Sequence, residues 1–197
     1  MQLAPKTFSF IEKTIKDSDL KFVLSKNYSA KQTQHRQSIR NLLADEFTAH
    51  FSREQLANLS DLNIIPSASE GYFSITHNQQ MGGFSYSKFP HGFDAESIAR
   101  ISKPVIDRTS SEPERASAPN VKFLWVAKEA AFKALNVRGE NNANSLVVTD
   151  LICNEWKSHP ETEVCSFRIT SEKILEQSLN LGFVFLEEDV LFAIYFK

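Results

Sequence analysis

VKFLWVAKEAAFKALNV, residues 121–137, is the stretch from which the fold can be read. Ala, Lys, Leu and Glu dominate it, all strong helix formers, and neither Gly nor Pro interrupts it. It predicts a long helix whose start is capped by Asn120 or Ser117. Immediately before it, SKPVIDRTSSEPERASAPN (102–120) is rich in Ser, Pro and charge and reads as an exposed loop. Further back, YFSITHN (72–78), GGFSYSK (82–88) and GFDAES (92–97) carry the alternation and the β-prone residues of strands. An earlier segment, AKQTQHRQSIRNLLADEFTAH (30–50), sets Ile39, Leu42, Leu43 and Phe47 at helical spacing. After residue 137, LVVTDLICNEW (146–156), EVCSFRIT (163–170) and LGFVFLEEDVLFAIYFK (181–197) read as strands, the last bent into a hairpin around Glu187–Asp189. Helix then strands therefore occurs twice. The expectation is an α+β fold of two similar halves, 1–91 and 92–197, each a long helix on an antiparallel sheet. No residue-by-residue repeat accompanies this, so the pseudo-two-fold arrangement follows from element order alone.

The bulk properties fit that organisation. A chain of 197 residues with 42% apolar content can bury a core without staples, and 16 Phe residues supply much of the packing. Two cysteines, Cys153 and Cys165, form no CxxC pair and read as reduced thiols. The first twenty residues resemble no signal peptide, and no run reaches the roughly 18 apolar residues of a membrane span. These features lead us to expect a cytoplasmic protein. Net charge is −2 but unevenly spread. Residues 1–40 carry eight Lys or Arg against three acids, whereas the remainder carries 14 bases against 21 acids. A basic front end suits a phosphorylated ligand, although a solvated surface has the same composition.

Three acids stand out. On a strand, Asp94 and Glu96 in GFDAES point to one face, and two like charges held together invite a hard cation. Magnesium takes oxygen ligands and keeps phosphates and waters in its shell. On the long helix, Trp125, Glu129 and Lys133 follow one stripe at successive steps of four. A plain Glu129–Lys133 surface pair is the bland reading of that spacing, worth only a few tenths of a kcal/mol. His77 closes the strand-like run FSITH. Lys31, Arg36 and Arg40 share one helix, and Arg forks suit phosphate.

Taken in order, FSITH, GFDAE and WVAKEAAFK resemble the signature of the 4'-phosphopantetheinyl transferase superfamily. The spacing of seventeen from His77 to Asp94, the Ile65-Pro66 pair and His35-Arg36 are similar to the long, surfactin-synthetase-activating type. The resemblance covers roughly residues 31–137. It implies two α+β halves with the active site in the cleft between them. It also implies transfer of the phosphopantetheine arm of coenzyme A to a serine of an apo carrier protein, releasing 3',5'-ADP. Asp94, Glu96 and Glu129 match the acids that hold Mg2+, for which Mn2+ can substitute. Glu129 also matches the acid that deprotonates the serine, directly or through a water. Lys133 matches a lysine on phosphate. Arg36, Thr76 and His77 match residues that grip the nucleotide end, and Arg40 and Lys128 are further candidates for coenzyme A. A cleft built within one chain implies a working monomer.

Three departures stand beside this. Asp61-Leu62-Asn63 occupies the place of the long type's G-K-P, so one phosphate contact is absent or comes from another base. The stretch from Glu96 to Trp125 is short for that type. WVAKEAAFKAL itself looks like the short, trimeric holo-acyl-carrier-protein-synthase type. Two rival readings remain: a degenerate member that binds without transferring, and an unrelated metal-dependent phosphohydrolase using the same three acids.

Overall fold

The structure is a computed structural model; it describes residues 5–25, 37–38, 41–42, 45, 56–57, 67–68, 70–78, 81–136, 146–174 and 179–197. The chain is α+β, with two five-stranded antiparallel sheets. The first has the order β1 (Lys21–Ser25), β5 (Gly82–Ser87), β4 (Gly71–His77), β3 (Ser67–Ala68), β2 (Leu56–Ala57). The second has the order β6 (His91–Ser97), β10 (Val190–Phe196), β9 (Leu181–Glu187), β8 (Val164–Thr170), β7 (Ile152–His159). Four helices are described: α1 (Pro5–Thr14), α2 (Lys103–Thr109), α3 (Glu112–Ser117) and α4 (Phe123–Leu135). Among the described residues no helix is long and apolar enough to cross a membrane.

Strand β10 of the second sheet is buried on both faces, which is why its sequence, VLFAIYF, is an unbroken apolar run. Leu191, Ala193 and Tyr195 pack beneath α4, with Ala127, Ala130, Ala131 and Ala134. Val190, Phe192, Ile194 and Phe196 point the other way, into a second core with Ile11 and Ile15 from the N-terminal segment and Leu24 of β1. Phenylalanines carry this second core. Rings run in contact from Phe8 to Phe22 to Phe93 to Phe192 to Phe185, at centroid separations of 5.0–6.1 Å.

Helix α4 lies close against β6, and Gly92 is the reason. A Cβ there would fall 2.0 Å from the Ala130 carbonyl oxygen and 2.5 Å from the Ala134 nitrogen. Only a residue without a side chain admits the helix at this depth.

Several expectations need correction. Residues 102–120 are not a loop but contain α2 and α3. Pro104 and Pro113 stand in the first turns, where proline is tolerated. Ser111 and Glu114 close a capping box around the start of α3. Neither expected residue caps α4 in the ordinary way. Ser117 ends α3, and Asn120 accepts from the Lys122 N–H with its side chain and from the Phe123 N–H with its carbonyl. The strand expected from residue 146 begins only at Ile152, after a 3-10 turn at Val148–Asp150. Two other expectations agree with the structure: the last hairpin turns at Glu188, whose φ is 55°, and Cys153 and Cys165 are both free thiols. Of the helix expected over 30–50, the described positions 37, 38, 41, 42 and 45 are helical; the others, Ile39, Leu43 and Phe47 included, lie outside the described residues.

His91 stands where the chain passes from the first sheet to the second. Its ring is 3% exposed, with Nδ1 3.1 Å from the Phe89 carbonyl and Nε2 2.7 Å from Ser85 Oγ. A carbonyl only accepts, so Nδ1 carries the proton and Nε2 accepts from the serine. Burial pushes the imidazole down from 6.5 to about 4.

Two predictions follow from this packing. Gly92→Ala should lose at least ~2 kcal/mol of stability in urea unfolding, because the helix backbone must move. His91 stays neutral in the folded chain while the unfolded chain takes up a proton below its ordinary pKa. Stability should therefore be undiminished above pH 6.5 and fall as pH drops toward 4, by up to roughly 1.4 kcal/mol per unit. In His91→Asn the slope of unfolding free energy against pH should flatten by one proton across that window.

Candidate active site

Strand β6 has the second sheet on one side only. Phe93 and Ala95 turn their N–H and C=O groups away from β10, and an edge left like this in the interior would be costly. Strand β4 of the first sheet covers it with side chains instead of backbone. Ser74, Thr76 and Asn78 alternate along FSITHN and so share one face of β4. Ser74 Oγ accepts from the Phe93 N–H at 2.8 Å, and Thr76 Oγ1 accepts from the Ala95 N–H at 2.9 Å. Asn78 Nδ2 donates to the Ala95 carbonyl at 3.3 Å, while its Oδ1 accepts from the Met81 N–H. The two sheets meet through this ladder.

The three acids gather beside it. Alternation on β6 turns Gly92, Asp94 and Glu96 toward α4, and α4 presents Glu129 and Lys133 one turn apart. Asp94, 8% exposed, accepts at Oδ1 from Lys133 Nζ at 2.7 Å and from Thr76 Oγ1 at 3.2 Å. Lys133 also donates to the carbonyls of Phe93 at 2.9 Å and Ile75 at 3.2 Å. The helical pair Glu129–Lys133 is therefore not what the spacing serves, since Lys133 turns to β6. Glu96 accepts from the Ser97 N–H and faces Arg100 at 3.5 Å. Burial holds the Glu129 carboxyl above its ordinary range, the charges of Asp94 and Glu96 add to this, and Lys133 opposes it. Burial likewise raises Glu96, with Arg100 and the Ser97 N–H working against it and Asp94 adding to it. Among the described residues no group of three or more His, Cys, Asp or Glu side chains is placed so as to hold a metal ion.

The other candidates separate. Thr76 belongs to the cluster through Asp94. His77, the next residue along β4, falls on the opposite face by alternation and is half-buried. Lys128 is not brought to the acids at all. It is 1% exposed, with Nζ 2.8 Å from Glu114 Oε1 and 2.6 Å from the Thr109 carbonyl. Glu114, 5% exposed, further accepts from Ser111 N–H at 2.8 Å and Cys153 N–H at 2.9 Å. Burial pushes its carboxyl up, but the Lys128 ammonium and these N–H groups outweigh burial and hold it low. Lys128 thus fastens α2 and α3 to α4 and leaves no ammonium for a ligand. Arg36 and Arg40 lie outside the described residues, as do Lys31, His35, Ile65-Pro66 and Asp61–Asn63.

Sequence reading passed over Ser74, Asn78 and Glu114. For the first two the signal was present: Ser74, Thr76 and Asn78 are polar at every second position of a strand whose other face is Phe73 and Ile75. Glu114 was hidden inside a stretch taken for loop. A groove of about 310 Å³ between α1 and β7–β9, lined by residues including Phe10, Lys157, His159 and Arg168, contains none of the acids.

No protein-family model matches the chain, and no curated protein matches it.

Removing one member of a buried ion pair strands the other. Lys128→Met should therefore lose about 3–5 kcal/mol. Lys128→Met combined with Glu114→Leu should recover much of that loss. Thermal unfolding of the single and double variants checks this; additive losses would show that the two charges do not depend on each other.

Proposed function

We propose that the chain is a Mg2+-dependent 4'-phosphopantetheinyl transferase of the long type, acting as a monomer on a cytoplasmic apo carrier protein. The observation that supports this is the seam itself. Asp94 and Glu96 of one sheet, Glu129 and Lys133 of the helix above it, and Thr76 of the other sheet come together where the two sheets join. A cleft between two similar halves would have its reacting groups in that position.

The donor set suits a hard divalent cation. Asp94, Glu96 and Glu129 offer carboxylate oxygens only, and burial raises the carboxyls of Glu96 and Glu129, with the neighbouring like charges adding to it. These three residues would hold the metal, which when bound neutralises the diphosphate of coenzyme A. Glu129 accepts the proton of the carrier serine, directly or through a water. Its raised carboxyl brings it nearer the neutral range in which a base must both accept and release a proton. The serine oxygen bonds to the β-phosphorus as the bond from that phosphorus to the bridging oxygen breaks, and 3',5'-ADP departs with that oxygen. Arg36, Arg40 and His77 would serve the nucleotide end of the same ligand.

Apo carrier proteins of the fatty-acid, polyketide, peptide-synthetase and lysine-pathway kinds, incubated with coenzyme A and Mg2+, should include one that gains the mass of the phosphopantetheine arm. Asp94→Ala and Glu129→Ala should each abolish that gain with circular dichroism unchanged. Wild-type turnover in either variant, or release of inorganic phosphate without any carrier, would overturn the assignment.

A further inference from the structure

We propose that Lys133 is a positioning residue, which locks Asp94 and joins the two sheets, and does not contact the phosphates of the substrate. This rests on reading Asp94, Glu96 and Glu129 as the reacting cluster. An ammonium has three N–H donors and no more. Those of Lys133 are all taken: Asp94 Oδ1 at 2.7 Å, the Phe93 carbonyl at 2.9 Å and the Ile75 carbonyl at 3.2 Å. The acceptors come from both sheets, Ile75 from β4 and the other two from β6. One side chain thus ties α4, β4 and β6 at a single point.

The close approach at Gly92 makes this reach achievable. A Cβ on residue 92 would lie 2.9 Å from Lys133 Cβ, so the root of the lysine sits directly over β6 and its chain need only run along the strand to the seam. To donate a hydrogen bond to a phosphate, Lys133 would have to abandon a carbonyl at the sheet junction, and an interior acceptor stripped of its donor is costly. Phe93 would keep only the weak 3.5 Å contact from Ser74. The same bonds fix how Asp94 presents itself. Oδ1 is filled by Lys133 and Thr76, so Oδ2 is the oxygen left to a ligand.

Lysine and arginine distinguish the two roles. A guanidinium replaces an ammonium well on phosphate, but its flat fork cannot reproduce three convergent bonds from one nitrogen. Lys133→Met and Lys133→Arg should be compared in full-length protein by thermal unfolding, by calorimetric titration with coenzyme A, and by turnover. With a positioning role, both variants lower Tm by about 4 °C or more. Both also lower kcat at least ten-fold while the Kd for coenzyme A stays within two-fold of wild type. If Lys133→Met does not fold, Lys133→Gln, which keeps two N–H donors, carries the same comparison. Ten-fold weaker coenzyme A binding in Lys133→Met that Lys133→Arg restores would overturn the proposal, as would an unchanged Tm in both. If the wild-type chain binds no coenzyme A, the functional reading fails, and the Tm comparison still decides whether Lys133 ties the sheets.

Discussion

The outer edge of β6 is the constraint on which the rest of this structure depends. A strand in a buried sheet has to satisfy its backbone on both sides. Here one side is β10 and the other is a row of short polar side chains on β4. Backbone pairing across that seam would have made one continuous sheet. Hydroxyl and amide side chains join the two sheets here in place of ladder hydrogen bonds. The seam is also where carboxylates can be tolerated, because the groups around them are already donors.

That polar seam and the apolar packing are linked through Gly92. Its missing side chain lets α4 settle on β6, which buries Ala127, Ala130, Ala131 and Ala134 against the sheet. The same depth delivers Lys133 to Asp94. A bulkier residue at 92 would raise the helix and withdraw the lysine together. Packing and site geometry are thus set by one close contact, while the Lys128–Glu114 pair holds the opposite flank of α4 to α2 and α3.

What the sequence revealed follows from which signals are local. Strands β4, β5, β6, β8, β9 and β10 were legible because alternation and turn residues are short-range, and α4 because its composition allows nothing else. Asp94, Glu96 and Glu129 were legible as a set only through the resemblance carried by FSITH, GFDAE and WVAKEAAFK in order, because i+2 on a strand and i+4 on a helix fix faces within one element and do not join two. Helices α2 and α3 were not, since their Ser and Pro have the same composition as a loop; only the Ser111–Glu114 box and the first-turn prolines distinguish them. Helix α1 went unread although Phe8, Ile11 and Ile15 keep helical spacing, and its place on the far face of the second sheet is purely tertiary. The destination of Lys128 was equally hidden, because a lysine beside a candidate acid gives no sign that its partner lies fourteen residues upstream.

The three acids are not equivalent, and the difference lies in their surroundings. Asp94 has an ammonium and a hydroxyl on one oxygen, so its position is fixed and its charge is balanced within the fold. Glu96 leans on Arg100 and the Ser97 N–H at the end of the strand. Glu129, among the described residues, has no hydrogen-bond partner and keeps its carboxyl in a half-buried setting that favours the proton. Two like charges beside it reinforce that preference, and only Lys133, already committed to Asp94, opposes it. A fixed carboxylate beside an unfixed one with a raised pKa is the division expected where one acid anchors a ligand and another exchanges a proton. If the cluster is catalytic, this asymmetry assigns the anchor to Asp94 and the exchange to Glu129, from burial and bonding alone.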